Sequence, residues 1–76
     1  MATEIVELGS TYTLITAETD FIAQNVNSHR QEWTRTPNPP TEEQVGVVIS
    51  PENGLTSSHG TGTLYGRGKG NVVVIT

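Results

Sequence analysis

The chain has no cysteine, so no disulfide can brace it, and its two histidines, His29 and His59, stand too far apart for the short ligand spacing of a structural metal site. It has little charge. Only 16% of its residues are Asp, Glu, Lys or Arg, against ~25% in ordinary globular domains. Eight acidic residues against four basic ones give a formal charge of −4, the wrong sign for a protein that holds nucleic acid through its overall field. No long apolar run is present: the longest is Val72 to Ile75, and the opening Met1-Ala-Thr-Glu-Ile-Val-Glu-Leu8 has neither the basic start nor the apolar stretch of a signal peptide. Neither nucleic acid nor membrane is therefore expected as a partner.

The length is also small. Seventy-six residues suffice for one domain, 1–76, and a chain of that size removes only ~60% of its unfolded surface from water on folding. Below roughly 70–80 residues, folded chains usually depend on disulfides, a structural metal or association. With the first two closed, association is the route that remains.

β-branched residues dominate, turn residues recur at short intervals, and no window carries apolar residues at helical spacing. Thr3 to Leu8 alternates with Val6 and Leu8 on one face, and Gly9-Ser10 turns the chain into Tyr12 to Thr16, a pair expected to form a hairpin. After a turn at Ala17-Glu-Thr19, Asp20 to Val26 alternates with Phe21 and Ala23 opposed to Ile22, Gln24 and Val26. Arg30 to Arg35 sets polar residues around Trp33, as an edge strand with one buried aromatic would. Three of the four prolines fall in Thr36-Pro-Asn-Pro-Pro-Thr41, which places a proline-rich loop at 36–44. Val45 to Ser50, Leu55 to Ser58, Thr63 to Tyr65 and Asn71 to Thr76 complete seven or eight short strands. The fold class is then all-β, a small antiparallel sandwich or barrel of the jelly-roll or immunoglobulin-like kind.

Two of these strands are apolar on both faces, although a two-layer sandwich covers each sheet on one side only. Val45, Val47, Val48 and Ile49 in one, and Val73 and Ile75 in the other, are therefore candidate subunit contacts. Pro37, Pro39 and Pro40 join them, as parts of a stiff loop suited to touching a neighbour. The expected assembly is a closed cyclic oligomer, a trimer.

No catalytic set can be assembled. Gly60-Thr-Gly-Thr-Leu-Tyr-Gly-Arg-Gly-Lys-Gly70 invites a phosphate-binding reading, but Lys69 is followed by Gly70 and a strand, where a P-loop needs Ser or Thr and a helix. Its glycines read as turn residues, and Arg67 and Lys69 as a hairpin tip or partners of an acidic neighbour. His59 beside Ser57 and Ser58, and His29 before Glu32, lack the spacing of a nucleophile with its base or of a metal site. Glu42 and Glu43 sit in the proline loop without rigid support for acid–base work. Neither enzymatic activity nor a cofactor is expected. Trp33 and Tyr12 could stack a sugar, but in a chain with so few aromatics the core claims them first.

The order of Tyr12-Thr-Leu-Ile-Thr16, a strand ending in Gln24-Asn25, Val47-Val-Ile-Ser-Pro-Glu-Asn-Gly-Leu55, Gly62-Thr-Leu-Tyr65 and Asn71-Val-Val-Val-Ile-Thr76 resembles small virion structural proteins of tailed phages and prophages. The resemblance spans most of the chain outside the proline loop, where the segment from Thr34 to Gln44 departs from it. It implies a compact β domain without catalytic residues, associating with itself and with a major capsid protein as a capsid decoration protein. Such a protein is made in the host cytoplasm and ends on the capsid surface of the virion. A glycan- or receptor-binding domain of a tail or fibre is the second expectation, and a small metal-dependent hydrolase the third.

Overall fold

The computed structural model describes residues 2–58 and 60–76; the expectations attached to His59 lie outside them. Its eight strands are β1 (Thr3–Leu8), β2 (Thr13–Thr16), β3 (Ile22–Asn25), β4 (Gln31–Thr36), β5 (Val47–Ile49), β6 (Gly54–Thr56), β7 (Thr63–Arg67) and β8 (Gly70–Ile75). They form two antiparallel four-stranded sheets, ordered β1-β8-β3-β6 and β2-β7-β4-β5. First pairs with last, second with seventh, third with sixth and fourth with fifth, so the chain is one long hairpin whose tip is the loop between β4 and β5. Rolling that ribbon brings β8 against β3 and β7 against β4. This is the strand order of a jelly roll, one of the two sandwich types expected.

The topology corrects three local expectations. Gly9-Ser10 does not close a hairpin: β1 pairs with β8 and β2 with β7, so the turn carries the chain from one sheet to the other. Gly68-Lys69 likewise links strands of different sheets and is not a hairpin tip; Lys69 takes φ 64° and Gly68 φ 111° there, and both backbone amides donate to the Gly9 carbonyl at 3.1 Å. Third, β4 is not an edge but an interior strand between β7 and β5.

Alternation fixes which side chains enter. Leu8, Ile15, Phe21, Ala23, Trp33, Ile49, Leu64, Val72 and Val74 fill the space between the sheets, with Trp33, Leu64 and Val72 fully buried. Gly66 faces Trp33 across the β4–β7 pair. A Cβ there would lie 2.7 Å from Ile15 Cδ1 and 2.8 Å from Trp33 Cδ1, so the indole occupies room that a larger residue would take.

Two buried amides complete the interior. Gln31 Oε1 accepts from Trp33 Nε1 at 3.1 Å while its Nε2 donates to the Lys69 carbonyl at 2.9 Å. Asn25 Nδ2 donates to the carbonyls of His29 and Ile49, each at 3.0 Å, and its Oδ1 accepts from Asn27 N at 3.0 Å and Asn27 Nδ2 at 3.1 Å. His29 Nε2 lies 3.0 Å from the carbonyls of both Gly68 and Lys69. The residues Asn25, Asn27, His29 and Gln31 thus tie the β3–β4 turn to the start of β8 and the end of β5. Among the described residues no buried side-chain nitrogen or oxygen lacks a partner.

Candidate interaction surfaces

The charged residues that could have formed a chemical site hold loops in place. Arg67, on the outer side of β7, donates through Nε to Glu32 Oε1 at 2.8 Å, and its guanidinium lies 4.4 Å over the Tyr12 ring. It also donates to the carbonyls of Glu42 at 2.7 Å and Gln44 at 3.3 Å, and Tyr12 Oη donates to the same Gln44 carbonyl at 2.8 Å. Glu32 Oε2 accepts from Gly46 N at 2.7 Å. That amide, then Arg67, holds the Glu32 carboxyl below its ordinary range, while Arg67 is raised first by its bond to Glu32. Burial, followed by the nearby Glu32 charge, pushes the Tyr12 phenol up. Together these three side chains strap the distal half of the proline loop onto the outer face of β4 and β7, and Arg67 has the acidic neighbour its sequence context suggested.

Arg35 does the same at the other end of the roll. It donates to the carbonyls of Ser57, Gly60 and Gly62 at 2.8–3.0 Å and lies 5.0 Å over the Phe21 ring. Ser57 Oγ donates to Asp20 Oδ1 at 3.0 Å, a surface pair. Gly60, Gly62, Gly68 and Gly70 all adopt positive φ, as turn glycines do, and the segment runs into β7 and β8 without a helix. Among the described residues, no group of three or more His, Cys, Asp or Glu stands together, and no helix is long and apolar enough to cross a membrane.

What the molecule offers instead is uncovered apolar surface. On the outer face of β1-β8-β3-β6, Ile5 stands beside Val73 across the β1–β8 pair and Ile22 stands beside Ile75 across the β3–β8 pair. Val73 and Ile75 are two residues apart on one strand and share its outer face, so the four side chains form one patch. Ile5 is 69% exposed and Ile22 53%, while Val73 and Ile75 are half-buried between their neighbours. Glu7 faces Asn71 at one corner of these rows, and Glu52 lines a depression with Ile22 and Gln24 at their other side.

A second patch lies along the edge of the other sheet. β5 is an outer strand, with Val45 79%, Val47 59% and Val48 58% exposed. Val45 and Val47 line a groove with Leu55 of β6, between the edges of the two sheets and above the buried Trp33. No charged residue stands in the sequence from Val45 to Ile49, but Arg35 joins the Val45–Val47 groove, and Val48 faces the other way, opposite Glu32 and in a depression shared with Arg30 and Arg67.

The sequence-derived contact residues therefore divide. Val73 and Ile75 lie on the outer face of one sheet, and Val45, Val47 and Val48 on the edge of the other. Ile49 points inward and is 4% exposed, which places it in the core and not on a surface. Pro37 and Pro39 are exposed and Pro40 half-buried in the loop at the hairpin tip. Ile5 and Ile22 were missed. The signal existed in the alternation, which sets Ile5 opposite to Val6 and Leu8 and Ile22 opposite to Phe21 and Ala23. Tyr12 is half-buried on the outside, beneath Arg67, and not in the core. Trp33 is fully buried with its indole nitrogen bonded to Gln31, so it presents no ring for a sugar to stack on.

Comparison with protein families, curated proteins and solved structures finds no match to this chain.

Proposed function

We propose that this chain is a virion accessory protein of a tailed phage, a decoration subunit that associates with copies of itself and attaches to the major capsid protein of a shell. The observation that carries the proposal is the uncovered apolar surface on a roll whose interior is already full. Nine buried apolar side chains occupy the space between the sheets, so the isoleucines and valines left outside are available to other subunits, and exposed apolar patches rimmed by polar residues mark protein contacts. The strand order adds support, since jelly rolls build viral capsid domains as well as lectins. Of the rings on which a sugar could stack, Trp33 is fully buried and Tyr12 lies beneath Arg67, which leaves the half-buried Tyr65. The strapped proline loop is a stiff feature at the tip of the folded hairpin, suited to fitting a fixed depression on a shell.

Co-sedimentation tests this. The purified protein, added to empty capsid shells of a phage whose genome encodes the chain, should pellet with them at a saturating ratio. Protein that remains wholly in the supernatant at micromolar concentration refutes attachment to the shell.

A further inference from the structure

We propose that Asn53 is a site of spontaneous covalent modification: the Gly54 amide nitrogen closes on the Asn53 side chain, and the folded chain ages there to aspartate and isoaspartate. This goes beyond the proposed function, since it holds whatever the chain attaches to.

Asparagine is among the thermolabile residues, and the chain has five, Asn25, Asn27, Asn38, Asn53 and Asn71. The fold protects four of them. Asn25 is fully buried and spends its amide on four hydrogen bonds. Asn27 donates through Nδ2 to Asn25 Oδ1 and to the Asn71 carbonyl, and its Oδ1 accepts from Asn71 N at 3.0 Å. Asn38 is followed by Pro39, which has no N–H with which to attack. Asn71 is followed by Val72, a branched, fully buried residue of β8, which is paired on both sides.

Asn53 differs on every count. Its side chain is exposed and makes no hydrogen bond among the described residues, so nothing holds its carboxamide. The next residue is glycine by necessity: a Cβ on Gly54 would fall on the Ala23 carbonyl oxygen, so the fold itself excludes a side chain that would screen the amide. That amide is also unengaged. Asn25 N donates to the Asn53 carbonyl at 2.8 Å and Ser57 N to the Phe21 carbonyl at 3.0 Å, and bonded and non-bonded pairs alternate along an antiparallel ladder. Gly54, opposite Gln24, therefore falls in a non-bonded pair. Because β6 is an outer strand, the Gly54 N–H points away from β3 with no further strand to receive it.

The chemistry needs only water. The Gly54 nitrogen gives its proton to solvent hydroxide and bonds to Asn53 Cγ; the Cγ–Nδ2 bond breaks, and ammonia leaves with a proton from water, closing a succinimide ring. A second water then opens the ring. Addition at Cγ gives aspartate, whereas addition at the former backbone carbonyl gives isoaspartate, whose chain runs through the side chain and gains a methylene. Either product makes the chain, formally −4, one charge more negative. Isoaspartate also displaces the carbonyl that Asn25 N binds, where β6 joins β3.

Peptide mapping by mass spectrometry tests this on the full chain, incubated in mildly alkaline buffer with Trp33 emission verifying that it stays folded. Asn53 should convert to the two acids while the other four asparagines keep their amides. A free peptide of residues 49–57 in the same buffer gives the conversion expected without a fold. If Asn53 of the folded chain keeps its amide while the peptide converts, the fold shields the site and the proposal is overturned. Conversion at Asn27 or Asn71 ahead of Asn53 overturns it equally. Asn53→Gln, whose longer side chain closes a ring with the next amide far less readily, should abolish the early conversion; undiminished amide loss from the 49–57 segment of that variant also overturns the proposal. The wild-type map needs no substitution, so the test stands even if the variant does not fold.

Discussion

Asn25→Leu should destabilise the fold far more than its unchanged branching and heavy-atom count suggest. Asn25 is fully buried at the end of β3 and makes four side-chain hydrogen bonds, two donated and two accepted. Leucine keeps the four side-chain heavy atoms and the branch at Cγ, so it removes the bonds without opening a cavity, its methyl groups being bulkier than the amide. At a net ~0.5–1.5 kcal/mol each, four bonds come to about 2–6 kcal/mol. The contact with the Ile49 carbonyl is buried while the other three are partly buried, and water replaces some of the lost partners at the rim. A loss of about 3 kcal/mol is therefore expected. At ~0.05–0.15 kcal/mol per residue, a chain this short has about 4–11 kcal/mol in total, so the substitution removes a large share of it. The melting temperature should fall by ~12–24 °C, at ~4–8 °C per kcal/mol. Urea unfolding followed by Trp33 emission at one fixed protein concentration measures the effect. A loss below about 1 kcal/mol with an unchanged urea slope would refute the assignment of Asn25 as the tie between three chain segments.

Glu32 gives a pH prediction with a defined sign. Its folded-state carboxyl is held below the ordinary value, first by the Gly46 amide and then by Arg67, so its contribution is complete above the ordinary carboxylate range and is lost as pH falls through the depressed value. Glu32→Gln should flatten stability against pH over that acid interval, and in the wild type the Gly46 amide proton, followed by NMR, should titrate with the same midpoint. In the core, Gly66→Ala places a methyl group within 3.0 Å of Ile15, Trp33 and Leu8 and should cost about 1–3 kcal/mol by overpacking. Gly9→Ala meets nothing within 4 Å and should leave urea stability unchanged or raise it slightly, an internal control on the same assay.

The sequence was most informative where a strand alternates. Val6 and Leu8 in β1, Ala23 in β3 with Phe21 just before it, and Trp33 in β4 were legible because period-two patterning depends only on near neighbours in the chain. Pairing was not legible. In a rolled ribbon β1 meets β8 and β2 meets β7, so a turn such as Gly9-Ser10, which looks like a hairpin closure, spans the two sheets. β4 resembled a wet edge for a different reason: Gln31, Glu32 and Arg35 are polar residues with partners distant in sequence. Gln31 bonds Trp33 and the Lys69 carbonyl, Glu32 bonds Arg67 and Gly46, and Arg35 bonds carbonyls at Ser57, Gly60 and Gly62. The candidate surface was half legible for the same cause. Val73 and Ile75 are visible as one apolar strand, but their union with Ile5 and Ile22 requires the registers of β1 and β3 against β8.

The exposed valines of β5 lie on a free edge of the other sheet. A free strand edge with β-branched side chains and no charge is a template for unwanted pairing. β1 is also an edge strand, and it carries Glu4 and Glu7; β5 has no charge of its own and relies on Glu42, Glu43 and Glu52 outside its ends. Flanking acids discourage random association, and a short strand limits the length of any ladder, yet neither removes the apolar side chains from water. Ile49 already fills the inward position, and the proline loop is strapped by Arg67 and Tyr12 through the Glu42 and Gln44 carbonyls, so that Val45 and Gly46 beside it line the groove and leave its valines open. In the single chain the valines of β5 therefore stay in contact with water, guarded only by the acids beyond the ends of the strand.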